Sequence, residues 1–347
     1  MVAVLAGIGS AVPSEVRQDQ LWDDFFAEHY QGNSVAERIW RRAGVETRHG
    51  VAIPWKEDVR GWGTEERMKR FIEEAVPLGA EAIRASLSRT SLAPGDVDLL
   101  TVVSCTGYAS PGLDVLVARE LGMARDLQRL HVGHMGCYAG VPALATLADA
   151  ATARGKAGVL LCVELASLHI QPSTDEVDQI VAHALFSDAA AAVTIRPGGP
   201  GLEVVDVVAR TAPEAADLMT WDVTDHGFRM GLSPRVSAVL GRLAADAVAE
   251  LLERHRVSAA HVAGWAIHPG GPRIVDAISR SLGLSEADVA TSRSVLRDFG
   301  NCSSPTVFLV LQRLLERSPF SDGDPLVAVA FGPGLTVAGA LLVRRAQ

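Results

Sequence analysis

The chain predicts an α/β protein assembled from two duplicated halves, and three features of its sequence carry that prediction. Alanine-rich segments with apolar residues every three to four positions alternate along the whole chain with short runs of Val, Ile and Leu, the pattern of helices packed on a buried sheet. The alternation occurs twice with the same punctuation. A Gly- and Pro-rich seam, Arg196 to Gly201 (RPGGPG), separates the two occurrences.

Taken in order, the opening MVAVLAGIGSAVP reads as a strand and turn, and with no basic n-region it does not fit a signal peptide. Gly79 to Leu87 reads as a helix and Val97 to Val103 as a buried strand. In DVDLLTVVSCTGYASPGLDVLVARELGM that strand leads into a Pro-Gly turn (Pro111, Gly112) and an amphipathic helix ending in Leu-Gly. HMGCYAGVPALATLADA follows, where Gly136 opens a small-residue helix including Ala143 to Ala153, and then the strand GVLLCVEL, centred on Val159 to Val163. After the helix Arg242 to Arg254 the second half repeats the series. HVAGWAIHPGGPRIVDAISRSLGL carries a strand, the Pro269-Gly270 turn and a helix; DFGNCSSPTVFLVLQRLL places Gly300 where Gly136 stood; PLVAVAFG supplies the next strand. The expected division is 1–198 and 199–347, a duplication of about 150 residues.

Val327 to Val343 is the one stretch that resembles a membrane segment, but it is shorter than the ~20 residues a span needs. Gly332-Pro333-Gly334 breaks it, so it reads as two buried strands joined by a tight turn. Hydrophobic residues make up 48% and charged residues 21%, a globular balance. A net charge of −9 without a Lys/Arg block argues against nucleic acid as a partner. The four cysteines (Cys105, Cys137, Cys162, Cys302) have neither disulfide-framework nor Cys-x-x-Cys spacing, which points to free thiols in a cytoplasmic protein.

Cys137 and Asn301 each directly follow the glycine that opens a buried helix, and His268 directly precedes the Pro-Gly turn of the second half. A pseudo-twofold packing of the halves brings these positions to one place. At a helix N-terminus the partial positive charge of free N–H groups favours thiolate, so Cys137 is expected to be the reactive thiol. Cys105, Cys162 and Cys302 read as small buried hydrophobes. Alone, His268 reads as a core histidine and Asn301 as a helix cap; together with Cys137 they form a nucleophile, an imidazole partner and an amide donor.

The segments HMGCYAG, IHPGGP, GNCSSPTV and FGPGL, in this order and spacing, resemble the type III polyketide synthases, the chalcone and stilbene synthase family. SCTGYASPGLD, PSTDEVDQIVAHALFSDAAAAV and DHGFRMGL extend the resemblance from about Ala6 to Val343. It implies the thiolase fold, a five-layered αβαβα body of two halves, usually a homodimer. It further implies Cys137 as nucleophile, His268 and Asn301 as stabilisers of developing negative charge, and Phe186 and Phe228 as gatekeepers between a CoA tunnel and the cavity. Leu168 and Gly334 fall on its cavity-lining segments, and Arg38, Arg41 and Arg42 on its CoA-binding helix. No metal or organic cofactor is expected: CoA thioesters are the substrates, an acyl carrier protein is an alternative starter donor, and GIGSAVP lacks the third glycine of a dinucleotide fingerprint.

ELASLHIQPSTD departs from the plant members, with Leu168 or His169 where a small polar residue is expected. SCTGY and HMGCYA are closer to the bacterial branch that makes alkylresorcinols and alkylpyrones from medium- or long-chain acyl starters. Aromatic residues are only 5% of the chain, which favours an alkyl starter over a ring held by aromatic walls. Three alternatives stand beside this reading. A cysteine hydrolase lacks its C-G-[SA]-C-[WY] signature here; a ketoacyl-ACP synthase III-like enzyme or acyltransferase of the same fold fits FGPGL and DHGF less well; a non-catalytic scaffold has no need of all three residues.

Overall fold

The computed structural model describes residues 2–346. Its strands are β1 (Ala3–Ala11), β2 (Ser14–Arg17), β3 (Thr47–Gly50), β4 (Leu99–Ser104), β5 (Gln128–Gly133), β6 (Gly158–Leu165), β7 (Asp188–Pro197), β8 (Gly201–Thr211), β9 (Met219–Thr224), β10 (Gly227–Leu232), β11 (Gly264–Ile267), β12 (Pro325–Gly332) and β13 (Thr336–Arg345). The longer helices are α1 (Ser34–Arg41), α2 (Thr64–Leu87), α3 (Leu113–Glu120), α4 (Gly140–Arg154), α5 (Val177–Leu185), α6 (Val236–Arg254), α7 (Pro272–Leu282), α8 (Glu286–Phe299) and α9 (Thr306–Arg317).

Nine strands form one sheet in the order β11-β12-β13-β8-β1-β7-β6-β4-β5. Within it the duplication is explicit. β4 and β6 run parallel, and β6, β7 and β1 follow antiparallel. In the second half β11 and β12 run parallel, and β12, β13 and β8 follow antiparallel. In the sheet the halves join where Val4 and Leu5 of β1 pair with Glu203 and Leu202 of β8.

Three apolar cores give five layers. The first lies between α2 and the β1-β7-β6-β4 face, where α2 comes so close that a Cβ on Gly9 would stand 2.2 Å from Ser86 N. The middle core wraps α4 and α9, on which strands of both halves pack. The third lies between β8, β13, β12 and the helices α6 and α7. This is the αβαβα architecture of the thiolase fold, and burial on both sides explains why β6 and β12 read as unbroken apolar runs.

Two elements differ from the sequence prediction. α2 begins at Thr64, well before Gly79, because its first half is charged on the solvent side and carries no Ala-rich pattern. The second half lacks a partner for β5: after α7, Ser285 caps α8 by accepting from Asp288 N, and the chain continues as helix rather than strand. No helix among the described residues is long and apolar enough to cross a membrane.

Candidate functional site

The duplicated topology sends equivalent chain segments to one centre. Cys137 sits in the turn before α4, Asn301 in the turn before α9, and His268 directly after β11. Gly136 makes the first of these turns possible. Its φ is +78°, and a Cβ there would stand 2.5 Å from Pro333 Cδ, so the Gly332-Pro333-Gly334 turn packs directly on the Cys137 loop. Gly334 itself (φ +117°) shapes that turn and stands outside the cavity described below.

His268 is fully buried and donates its backbone N–H to Val329 O at 2.8 Å. Its ring lies 4.9 Å from Phe331, and neither ring nitrogen has a hydrogen-bond partner among the described residues. Asn301 is held at both ends of its backbone, by Leu185 O at 2.8 Å and by Ser187 N at 3.0 Å. Its side-chain Oδ1 accepts from Ser303 N at 2.9 Å, which fixes the amide and leaves Nδ2 facing Gly270 O at 3.4 Å, beside His268. A buried ring with two unspent nitrogens and a fixed amide N–H are what a transient oxyanion requires.

Burial dominates the electrostatics. The Cys137 thiol is pushed up to about 12, desolvation outweighing the hydrogen bond from Ser303, with the nearby Glu164 charge adding to the rise. Burial alone pulls His268 down to about 3. The expected lowering of the Cys137 pKa by the helix N-terminus is therefore not what the free site displays. The physical reason is that a charge of either sign loses its hydration in this buried site.

Glu164 escaped the sequence reading. It is fully buried at the end of β6 and accepts from Thr106 Oγ1 (2.7 Å), Ser304 Oγ (2.7 Å), Cys105 N (3.0 Å), Ser104 Oγ (3.3 Å) and the Cys105 thiol (3.4 Å). Burial raises its pKa and these donors oppose the rise. The signal was available, a single acid inside GVLLCVEL, where an unpaired carboxylate has no place. Ser303, a non-glycine residue at φ +55°, was missed as well; its hydroxyl stands 3.6 Å from the Cys105 sulfur.

Phe186 follows α5 and Phe228 lies on β10. Phe228 stacks on His169 at 4.6 Å and 8°, and Trp221 stands 6.2 Å from Phe186 and 6.1 Å from Phe228. His169 Nε2 donates to Thr106 O at 2.7 Å and its Nδ1 accepts from Phe228 N at 3.0 Å, which sets the tautomer. Phe186, Trp221, Phe228 and His169 thus stand together on one wall. Leu168 is fully buried in the first core; its neighbours Ser167 and His169 line the cavity. The cavity is lined by Phe186, Trp221 and Phe228 together with Val16, Leu21 and Phe26. Arg38, Arg41 and Arg42 are exposed at the end of α1; Arg41 is tied to Glu37 at 2.7 Å, while Arg38 and Arg42 enter no ion pair among the described residues.

Comparison with known proteins identifies this arrangement. The family model for chalcone and stilbene synthases matches with its N-terminal domain over residues 2–199 and its C-terminal domain over residues 203–346. The chain is 30% identical to the alpha-pyrone synthesis polyketide synthase-like Pks18 of Mycobacterium tuberculosis, covering 99% of this chain and 92% of that one. It is 33% identical to the 3,5-dihydroxyphenylacetyl-CoA synthase of Streptomyces toyocaensis, covering 97% and 89%. Among solved structures, 1,3,6,8-tetrahydroxynaphthalene synthase from Streptomyces coelicolor A3(2) superposes with a TM-score of 0.93 at 29% identity, covering 99% of this chain and 100% of that one. With both family domains matched end to end, the chain belongs to the chalcone and stilbene synthase family and is a type III polyketide synthase.

Proposed function

We propose that Cys137 carries the growing chain while His268 and Asn301 stabilise the enolate that extends it. The Cys137 thiolate attacks an acyl-CoA starter carbonyl, CoA leaves as its thiol with the proton held by His268, and an acyl-Cys137 thioester remains. Malonyl-CoA then loses CO2, and the pair of electrons from the broken C–C bond forms an enolate whose oxygen takes hydrogen bonds from His268 and Asn301 Nδ2. The enolate carbon attacks acyl-Cys137 and the sulfur leaves as thiolate, so the extended chain returns to CoA. Repetition and cyclisation to a pyrone or resorcinol complete the reaction, with no cofactor other than CoA thioesters. The observation that carries the reading is the fixed Asn301 amide beside a buried His268 with two unspent nitrogens.

Arg38 and Arg42 are the candidates for the CoA phosphates, or for an acidic acyl carrier protein, because their charges are exposed and uncommitted. A homodimer is supported by the open edge of β5, exposed along most of its length, with Leu130 39% and the neighbouring Tyr108 66% exposed. Four buried free cysteines support a cytoplasmic location. Incubating the protein with malonyl-CoA and starters from acetyl to palmitoyl, plus cinnamoyl, and analysing products by mass spectrometry tests the function. An aliphatic starter of medium or long chain is expected to give alkylpyrones or alkylresorcinols; no condensation product from any starter sinks the reading.

The coupling of Cys137 to His268 is testable by pH. If His268 takes the Cys137 proton, alkylation of the wild type by iodoacetamide is fast and level near neutral pH, against what burial of the thiol alone allows. In His268→Ala no imidazole is left to take the proton, and the thiol of Cys137, raised by burial, stays neutral at pH 7. Alkylation at pH 7 should fall by at least about 100-fold and climb roughly tenfold per pH unit. Identical pH profiles for the two proteins would separate the residues.

A further inference from the structure

We propose that Arg48 is a positioning residue for the Asn301 amide, which it holds in place through the backbone around Phe186. This rests on the reading of Asn301 as a donor to the enolate. Arg48 lies on β3, and its buried guanidinium reaches the C-terminus of α5, where Nη1 donates to His183 O at 2.5 Å and to Phe186 O at 2.9 Å. A cation at that place meets carbonyls that a helix end leaves unpaired and the negative end of the helix dipole. An exchange of partners follows. If α5 ran on, Ser187 N would bond His183 O; it goes to Asn301 O at 3.0 Å instead, and Arg48 supplies the donor that His183 O loses. Asn301 N closes the other side on Leu185 O at 2.8 Å, so Phe186 and Asn301 form a parallel bridge.

The stem of Arg48 also packs on the turn that carries Asn301: a Cβ on Gly300 (φ +72°) would stand 3.2 Å from Arg48 Cγ and 3.0 Å from Leu185 O. β3 is fastened to both partners, by Thr47 Oγ1 donating to Asp298 O at 2.6 Å and by Ser187 Oγ accepting from His49 N at 2.8 Å. The Trp40 ring, 4.7 Å from the guanidinium carbon, braces the group from its other side. Burial pulls Arg48 down to about 9, so it stays charged near neutral pH, with support from the Asp188 charge. Its Nε and Nη2 are buried without a partner among the described residues. That is costly, and an apolar side chain of similar length would avoid the cost. What an apolar side chain cannot supply is the donor that frees Ser187 N for Asn301. Ser303 N orients the Asn301 amide, but the place from which the amide projects is set by this bridge. Without Arg48, His183 O competes for Ser187 N and the bridge loosens.

A double-mutant cycle tests this, with acyl loading of Cys137 and malonyl-CoA decarboxylation measured separately in Arg48→Met, Asn301→Asp and the double variant. Arg48→Met is expected to lower kcat for decarboxylation by roughly 30-fold, the scale of a small misplacement of a catalytic group, with KM for malonyl-CoA and the rate of loading each within about 3-fold of wild type. In the double variant decarboxylation should fall at most about 2-fold below that of Asn301→Asp alone, because Arg48 acts through a donor that is already gone. Arg48→Lys keeps the charge at the end of α5 but not the planar fork, and is expected to fall between wild type and Arg48→Met. It carries the same cycle if the methionine variant does not fold. Losses that multiply in the double variant, equal loss of loading and decarboxylation in a folded Arg48 variant, or wild-type decarboxylation in Arg48→Met each overturn the assignment. Wild-type decarboxylation in Asn301→Asp would instead strike the reading of Asn301 on which the assignment rests.

Discussion

Cys137→Ala is expected to abolish chain extension, by at least about 10⁴-fold, while malonyl-CoA decarboxylation continues at a measurable rate. The two steps draw on different parts of the site. Extension needs a sulfur to hold the acyl chain, and nothing else in the centre replaces it: Cys105 lies against Glu164, its thiol raised well above the ordinary range by burial and by that carboxylate. Decarboxylation needs only donors for the enolate oxygen, and the alanine leaves both His268 and the Asn301 amide, held by Ser303 N, as they were. The substitution is also sterically mild, since Cys137 lies in a turn whose course is set by Gly136 and Pro333. Counting CO2 released against product formed on the same samples checks the split. Persistent extension would remove Cys137 as the nucleophile; loss of both activities in a folded protein would tie decarboxylation to the thiol as well.

The fold was legible because the duplicated βαβ units repeat both their apolar strands and their turn residues. The positions of Cys137, His268 and Asn301 were legible because each stands beside a glycine or proline that the turn requires. What escaped depends on contacts between residues far apart in the chain. Glu164 is satisfied by Ser304, Thr106 and Cys105, none near it in sequence. Which of Leu168 and His169 faces the cavity depends on a short helical turn pinned by Arg67, whose guanidinium donates to Leu168 O and, at 3.1 Å, to Ile170 O. The grouping of Phe186, Trp221 and Phe228 was not legible either, because a 5% average says nothing of where the rings gather. The Cys137 pKa escaped for a related reason: a helix N-terminus can be read from sequence, but the depth of burial that outweighs it is set by both halves together.

Asn301→Asp is expected to lower malonyl-CoA decarboxylation by ~100-fold or more, the scale of losing one oxyanion donor. The exchange is nearly isosteric, and Oδ1 can go on accepting from Ser303 N, so the turn before α9 keeps the bond that orients the side chain. The backbone bonds to Leu185 and Ser187 do not involve the side chain at all. What changes is the atom at Nδ2. An N–H that points toward the His268 side becomes an oxygen carrying negative charge, beside the place where the enolate charge develops. In a dry pocket that repulsion adds to the lost hydrogen bond, together on the order of 3 kcal/mol or more. Acyl loading on Cys137, measured by intact-protein mass spectrometry with the starter alone, should be affected much less, since no enolate forms in that step. The expected pattern is therefore a slow decarboxylase that still becomes acylated. Wild-type decarboxylation in a folded Asn301→Asp protein would place the enolate away from Asn301, and equal loss of loading and decarboxylation would assign Asn301 to holding the site's shape rather than to the charge.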